Sequence, residues 1–414
     1  MSKTRILTTA AVVAVLGLLI YFQVEHWRSF DWSRFRSASR VNPVPIAAAV
    51  VLIYLTYILR ALRWRVFLEP VRKTSTWSLV PATFIGFAGL ALLGRPGEFI
   101  RPYLISRKEN LSFASQIGVW TVERIFDVGA FTVLMTIDVF FSPALRVNPY
   151  IHQFRIASAL LSGAVAFAGF MAFVIRTRGP QVARWLHNAT AKFSAGLARL
   201  VDEKVRAFGE GLNTISDGRA FLKLVAISLV LWFMVALAYR EVAHSYTAAA
   251  DELALGPASV DVETAQLANL PASAGQPLSE ETVAALNSGL ERKGYFLRQR
   301  SGDLWLFHHH TPVKKVGDRP HLANMDIPHV LLLMGFSMVG SLVQLPAVGG
   351  GSQLAVINAL QVVYGIPPEL ALSCGMLLWL VTFMSCIPVG LAFAHQGHLS
   401  LRKLSKASHE AEEN

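Results

Sequence analysis

Three ionisable side chains, Arg95, Glu98 and Arg101, fall within seven residues of an apolar stretch, in Leu93-Gly94-Arg95-Pro96-Gly97-Glu98-Phe99-Ile100-Arg101. A charge at membrane depth costs about 2.5–3.5 kcal/mol on insertion scales. Such residues therefore pair with one another, with water or with an anionic substrate. The competing reading is that the segment only reaches an interface, where charged heads snorkel to water. Proline and glycine would be superfluous for snorkelling, which favours function. Glu123, Arg124 and Asp127 form a second group. Glu123 and Asp127 are four apart and share a helical face. They can brace Arg95 or Arg101 by ion pairing, or relay protons; both readings stand.

Arg60, Arg63 and Arg65 close another apolar run. Anchoring at a basic cytoplasmic face explains them, though Arg63 could equally face a cavity. Gly349, Gly350 and Gly351, followed by Ser352 and Gln353, free backbone N–H groups where a half-helix begins. A helix N-terminus attracts anions, and close helix packing is the alternative. His308, His309 and His310 are consecutive, so their side chains diverge, and no second ligand cluster accompanies them. A strand-end run is the better reading than a metal site. No phosphate loop, nucleophile elbow or HExxH pattern is present. We expect no catalytic residue, metal or cofactor.

The elements that must position these residues are membrane helices. Of 414 residues, 53% are hydrophobic and 16% charged, against about a quarter charged in soluble domains. Mean hydropathy is +0.44. Cys374 and Cys386 share one apolar segment and read as buried thiols, not a disulfide scaffold. The net charge of +11 fits basic cytoplasmic loops better than nucleic acid, which is not expected as a partner. Spanning candidates are 6–22, 44–66, 114–141, 156–176, 220–243 and 367–395. Stretches 78–106 and 327–364 are broken by glycine and proline and read as broken or re-entrant hairpins. The expectation is an all-α integral membrane protein of about six spans plus two such hairpins, with a small α/β extracytoplasmic insert.

Lys3 and Arg5, the basic residues after the second span and first hairpin, the connection 177–219 and Arg402-Lys403 place both termini in the cytoplasm. The loop 23–43, with Arg28, Arg34, Arg36 and Arg40, is the misfit, and its Trp27, Trp32 and Phe35 suggest an interfacial helix on the outer leaflet. With this threading the hairpins enter from opposite sides, a pointer to an inverted-repeat transporter with its site where they meet. The organisation is 1–244, an N-terminal membrane region; 245–326, a soluble insert; 327–400, a C-terminal membrane region; and 401–414, a cytoplasmic tail. In the insert, Ser279 caps a helix with stripe Val283, Leu286 and Leu290, and Tyr295–Arg300 with Leu304–Phe307 reads as a hairpin.

Arg60-Ala-Leu-Arg63-Trp64-Arg65, Gly86, Gly94-Arg95-Pro96-Gly97-Glu98-Phe-Ile-Arg101-Pro102 and Val122-Glu123-Arg124-Ile-Phe-Asp127 follow in order. Leu345-Pro346 with its glycines and Gly365-Ile-Pro-Pro-Glu-Leu-Ala371 come later. Together they resemble the lysylphosphatidylglycerol synthase transmembrane-region family, which is flippase-like. The resemblance implies movement of a lipid, anionic or polyprenyl-phosphate-linked, between leaflets of a bacterial inner membrane. On it, Arg95 and Arg101 would bind the head group, Glu98, Glu123 and Asp127 would balance them, Arg63 and Arg124 would line the site, and the 346–353 break would form the opposite gate. Two departures from the family are expected, no C-terminal acyltransferase domain after the short charged tail, and the 245–326 insert, which leaves room for an envelope protein partner. A membrane lipid-modifying transferase and an accessory subunit of an envelope enzyme are the alternatives.

Overall fold

The computed structural model describes residues 41–143, 150–191, 217–246, 280–300, 303–309, 311–315, 322–341 and 350–397, together with 35–36, 145, 196, 264 and 267–269. The span at 6–22, nearly all of the interfacial segment 23–43, Gly349, His310 and the tail lie outside the described residues.

Helix α1 (Pro43–Leu68) starts where Asn42 Oδ1 accepts from the Val44 N–H at 3.0 Å, with Pro43 in the first turn. The second helix α2 (Thr76–Leu93) stops at Gly94, whose φ of +71° is open to glycine. A 3₁₀ turn (Arg95–Phe99) reverses the chain into α3 (Ile100–Glu109). Gly97 lies so close to the Gly89 carbonyl that no side chain fits there, and Gly86 lies against Arg101. Polar bonds close the hairpin's open end, Thr74 Oγ1 to Glu109 Oε1 at 2.9 Å and Lys108 Nζ to the Ser78 carbonyl at 2.7 Å.

Helix α4 (Phe113–Phe141) follows, capped by Ser112. The next helix, α5 (Ile151–Ala191), runs through part of what sequence takes as a connection, 177–219, and kinks at Arg178, just before Gly179-Pro180. Helix α6 (Gly218–His244) is capped by Asp217 and ends beside the start of α1, where Asn42 donates to the Ser245 carbonyl at 2.7 Å. The chain returns to this same end after the insert, since His244 Nε2 lies 3.1 Å from the Met325 carbonyl.

From there α8 (Ile327–Ser341) and α9 (Gly350–Val362) form the second hairpin. Tyr364 donates to the His329 carbonyl at 2.9 Å at its open end, and Gly340 meets Gly351 near its tip. The two hairpins therefore enter the bundle from opposite ends. A last long helix, α10 (Pro368–Trp379) and α11 (Cys386–Gln396), is joined by a π-helical turn at Leu380–Met384. Tyr54 donates to the Ser385 carbonyl at 2.7 Å and Tyr57 to the Thr382 carbonyl at 3.3 Å. Both contacts tie α1 to this distorted segment.

Pro43–Leu68, Thr76–Leu93, Ile151–Ala172, Gly218–His244 and Pro368–Gln396 are long and apolar enough to cross a membrane. Leu160, Phe167, Leu222 and Val339 are more than 60% exposed on their outer faces. Such an apolar exterior suits lipid and not water. This is a multi-pass, essentially all-α membrane protein, and α2 is long enough to cross although it belongs to a hairpin.

The insert holds α7 (Glu280–Glu291) on an antiparallel sheet in the order β1 (Tyr295–Arg300), β2 (Asp303–His308), β3 (Thr311–Lys315). Leu286, Leu290, Tyr295, Leu297 and Leu306 form its own small core. The third strand extends the sheet beyond the hairpin read from sequence; it carries Pro312 and sits at the sheet's edge, where proline is tolerated.

Candidate functional site

The bundle's core holds a ring of ion pairs. Residues on one face of α1, Arg60 and Arg63, meet Glu123 and Asp127 on one face of α4. Arg63 is fully buried and donates to Glu123 Oε1 at 2.7 Å, Asp127 Oδ1 at 2.8 Å and Ser228 Oγ at 2.8 Å. Trp232 Nε1 donates to Asp127 Oδ1 at 3.2 Å. From α3, Arg101 forms a close ion pair with Glu123 Oε2 and stacks over Trp64, its guanidinium carbon 4.2 Å from the ring centre. Trp64 is itself fixed by Gln116, 3.0 Å from the indole nitrogen. The half-exposed Arg124 reaches Asp127 Oδ2 at 3.1 Å and Glu123 Oε2 at 3.4 Å.

The brace between the first hairpin and Glu123 thus runs through Arg101. Anchoring at a membrane face accounts for the exposed Arg65 but not for Arg60 and Arg63, which point into the core. Four guanidinium groups, Arg60, Arg63, Arg101 and Arg124, share two carboxylates in this cluster among the described residues. Even with the half-buried Glu98 nearby, positive charge stays in excess. Buried charge is tolerated only when it is paired, so this cluster is suited to an added anion.

A cavity of about 230 Å³ opens beside it, bounded by α1, Phe87 of α2, α6, the second hairpin and α10–α11. Arg60 is the cluster's arginine on its wall. Its contact with Asp127 is long, 3.4 Å, and its buried Nε has no hydrogen-bond partner among the described residues. Ser337, Ser341, Ser352, Gln353 and Thr382 bring polar atoms from the other half of the chain. Gly350 opens α9 with a positive φ and Gly351 packs on Gly340, so it is the next two residues, Ser352 and Gln353, that reach the cavity.

A smaller pocket of about 60 Å³ lies at the first break, lined by Phe87, Glu98, Arg101, Trp120 and Arg124. The backbone of Arg95 opens the 3₁₀ turn there. Arg60, absent from the expected site, was hidden by its place in a basic run that topology already explained. Its three-residue spacing from Arg63 was the available signal. An apolar cleft of about 570 Å³ also runs between α4, α5 and α6, with Ser228 on its wall.

Fold and site together define a polytopic helical membrane protein with a buried, net-positive ion-pair cluster. A family model described as lysylphosphatidylglycerol synthase TM region matches residues 7–251, more than half of the chain. The chain belongs to that family. It is also similar to a protein described as Glycosyltransferase AglD from Haloferax volcanii, 30% identical over 89 residues, 21% of this chain. That match spans 14% of the relative's length. No solved structure matches the chain.

Proposed function

We propose that the protein moves an anionic lipid, one with a phosphate in its head group, between the leaflets of a bacterial inner membrane. The observation that carries this is the surplus of guanidinium charge facing the central cavity through Arg60. A phosphate would supply the missing counter-charge with short, charge-assisted hydrogen bonds. The cavity lies between hairpins entering from opposite ends, the arrangement that alternating-access transporters place around a midplane site. The basic residues Arg65, Arg72, Lys73, Arg107 and Lys108 cluster at the first hairpin's open end, which supports a cytoplasmic position for that end.

Polyprenyl phosphate and a bulk anionic phospholipid both carry the phosphate required, and the partial likeness to a glycosyltransferase adds a glycan-related setting. It also keeps alive a second reading, an accessory role beside a lipid-linked sugar transferase. Proteoliposomes separate them. Fluorescent polyprenyl phosphate and phosphatidylglycerol should change leaflet in the presence of the protein while phosphatidylcholine does not. Arg60→Ala should slow this about tenfold, the loss of one charge-assisted contact. Equal rates with protein-free vesicles for both anionic lipids would leave the accessory reading standing alone.

A further inference from the structure

The central cavity and the small pocket at the first break share one wall, the side chain of Phe87. Its ring is held by cations belonging to both compartments. Arg60, lining the central cavity, places its guanidinium carbon 5.1 Å from the ring centre; Arg101, lining the small pocket, lies at 5.5 Å. Tyr57 backs the ring at 4.8 Å. Phe87 follows Gly86, the residue whose missing side chain lets Arg101 approach α2.

We propose that Phe87 is a gate between the two compartments, and that a phosphate-bearing head group passes from Arg124 and Arg101 to Arg60 only when this ring swings aside. The idea rests on the translocation reading above. The physical logic is competition. A guanidinium over an aromatic face is attracted by the ring's quadrupole, and a phosphate attracts the same cation more strongly through charge-assisted hydrogen bonds. An arriving anion therefore draws Arg101 and Arg60 off the ring and frees it to move. Without an anion the cations hold the ring in place, and the path stays shut to other solutes.

The chain carries its own reporter. Cys386 is buried and lines the central cavity, whereas Cys374 is fully buried and is not among the lining residues. In vesicles of known sidedness, an uncharged, sugar-linked, membrane-impermeant methanethiosulfonate, which does not itself draw the arginines off the ring, is added on the side bearing Arg124, in a Cys374→Ser background. Modification of Cys386 is then followed by mass spectrometry. Phe87→Ala should speed it about tenfold over wild type, the scale set by two desolvated cation–π contacts. Phe87→Leu, which keeps bulk but loses the aromatic face, should fall between and covers the case in which the alanine variant misfolds. Equal rates of mixed-disulfide formation at Cys386 in wild type and both folded variants overturn the gate. A wild type that moves no lipid overturns the translocation reading alone, because the contrast in Cys386 modification does not depend on transport.

Discussion

Among single residues, Glu123 is the keystone, fully buried and held by Arg63, Arg101 and Arg124. Removing one partner of a buried pair leaves uncompensated charge and costs about 3–5 kcal/mol. Glu123→Gln should therefore lower the protein's melting temperature in detergent markedly, while Glu98→Gln, at a half-buried position, should change it little. Comparable melting of the two variants would mean that the cluster is hydrated, not sealed. The chemistry of this group was legible in sequence to the extent that Glu123 and Asp127 share a face. Which arginine each carboxylate meets was not, because those pairings join α1, α3 and α4 across more than 20 residues of chain. Arg60 carries the same lesson, since an arginine that closes an apolar run can either anchor at an interface or turn into the core. Only its position on the cavity wall separates the two.

At the scale of elements, the first hairpin depends on glycine for space. A methyl group on Gly97 would collide with the backbone of Gly89 and Leu90, atoms that cannot turn aside as a side-chain tip can. Overpacking of this kind costs about 1–3 kcal/mol. Here it would also push α3, with Arg101, away from Glu123. Gly97→Ala should thus reduce both thermal stability and lipid movement, whereas Gly163→Ala, with open space around it, should affect neither; matching losses in the two would refute the close-approach argument. Both broken hairpins were readable because glycine and proline interrupt an apolar run. The length of α5 was not. Beyond Ile175 it grows richer in polar and basic residues, which hydropathy scores as loop, although helix resumes after the kink at Arg178 and runs to Ala191. The third strand of the insert carries a proline, which lowers its strand signal, and only its edge position admits it.

For the molecule as a whole, the insert is a guest in the bundle's chain. It leaves after Tyr246 and returns before Leu322, and the two attachment points are neighbours. His244 touches the Met325 carbonyl at 3.1 Å, and Tyr246 is buried with its hydroxyl 2.8 Å from Ser373 Oγ. The insert's apolar core is separate from the bundle's. A unit with its own core and adjacent ends contributes little to the stability of its host, because a short loop closes the same gap at small entropic cost. Replacing residues 250–319 by a short Gly/Ser linker should leave a monodisperse, thermally stable membrane protein. Movement of the anionic lipid should persist in proteoliposomes, because Arg60, Phe87 and both hairpins lie in the bundle. What the shortened protein should lose is any contact with an envelope partner, measurable as failure to co-purify a protein that the full chain retains from the same membranes. Collapse of the shortened chain on size exclusion would instead make the insert part of the bundle's own architecture. The site would then have to be understood as extending to the face where the insert is attached.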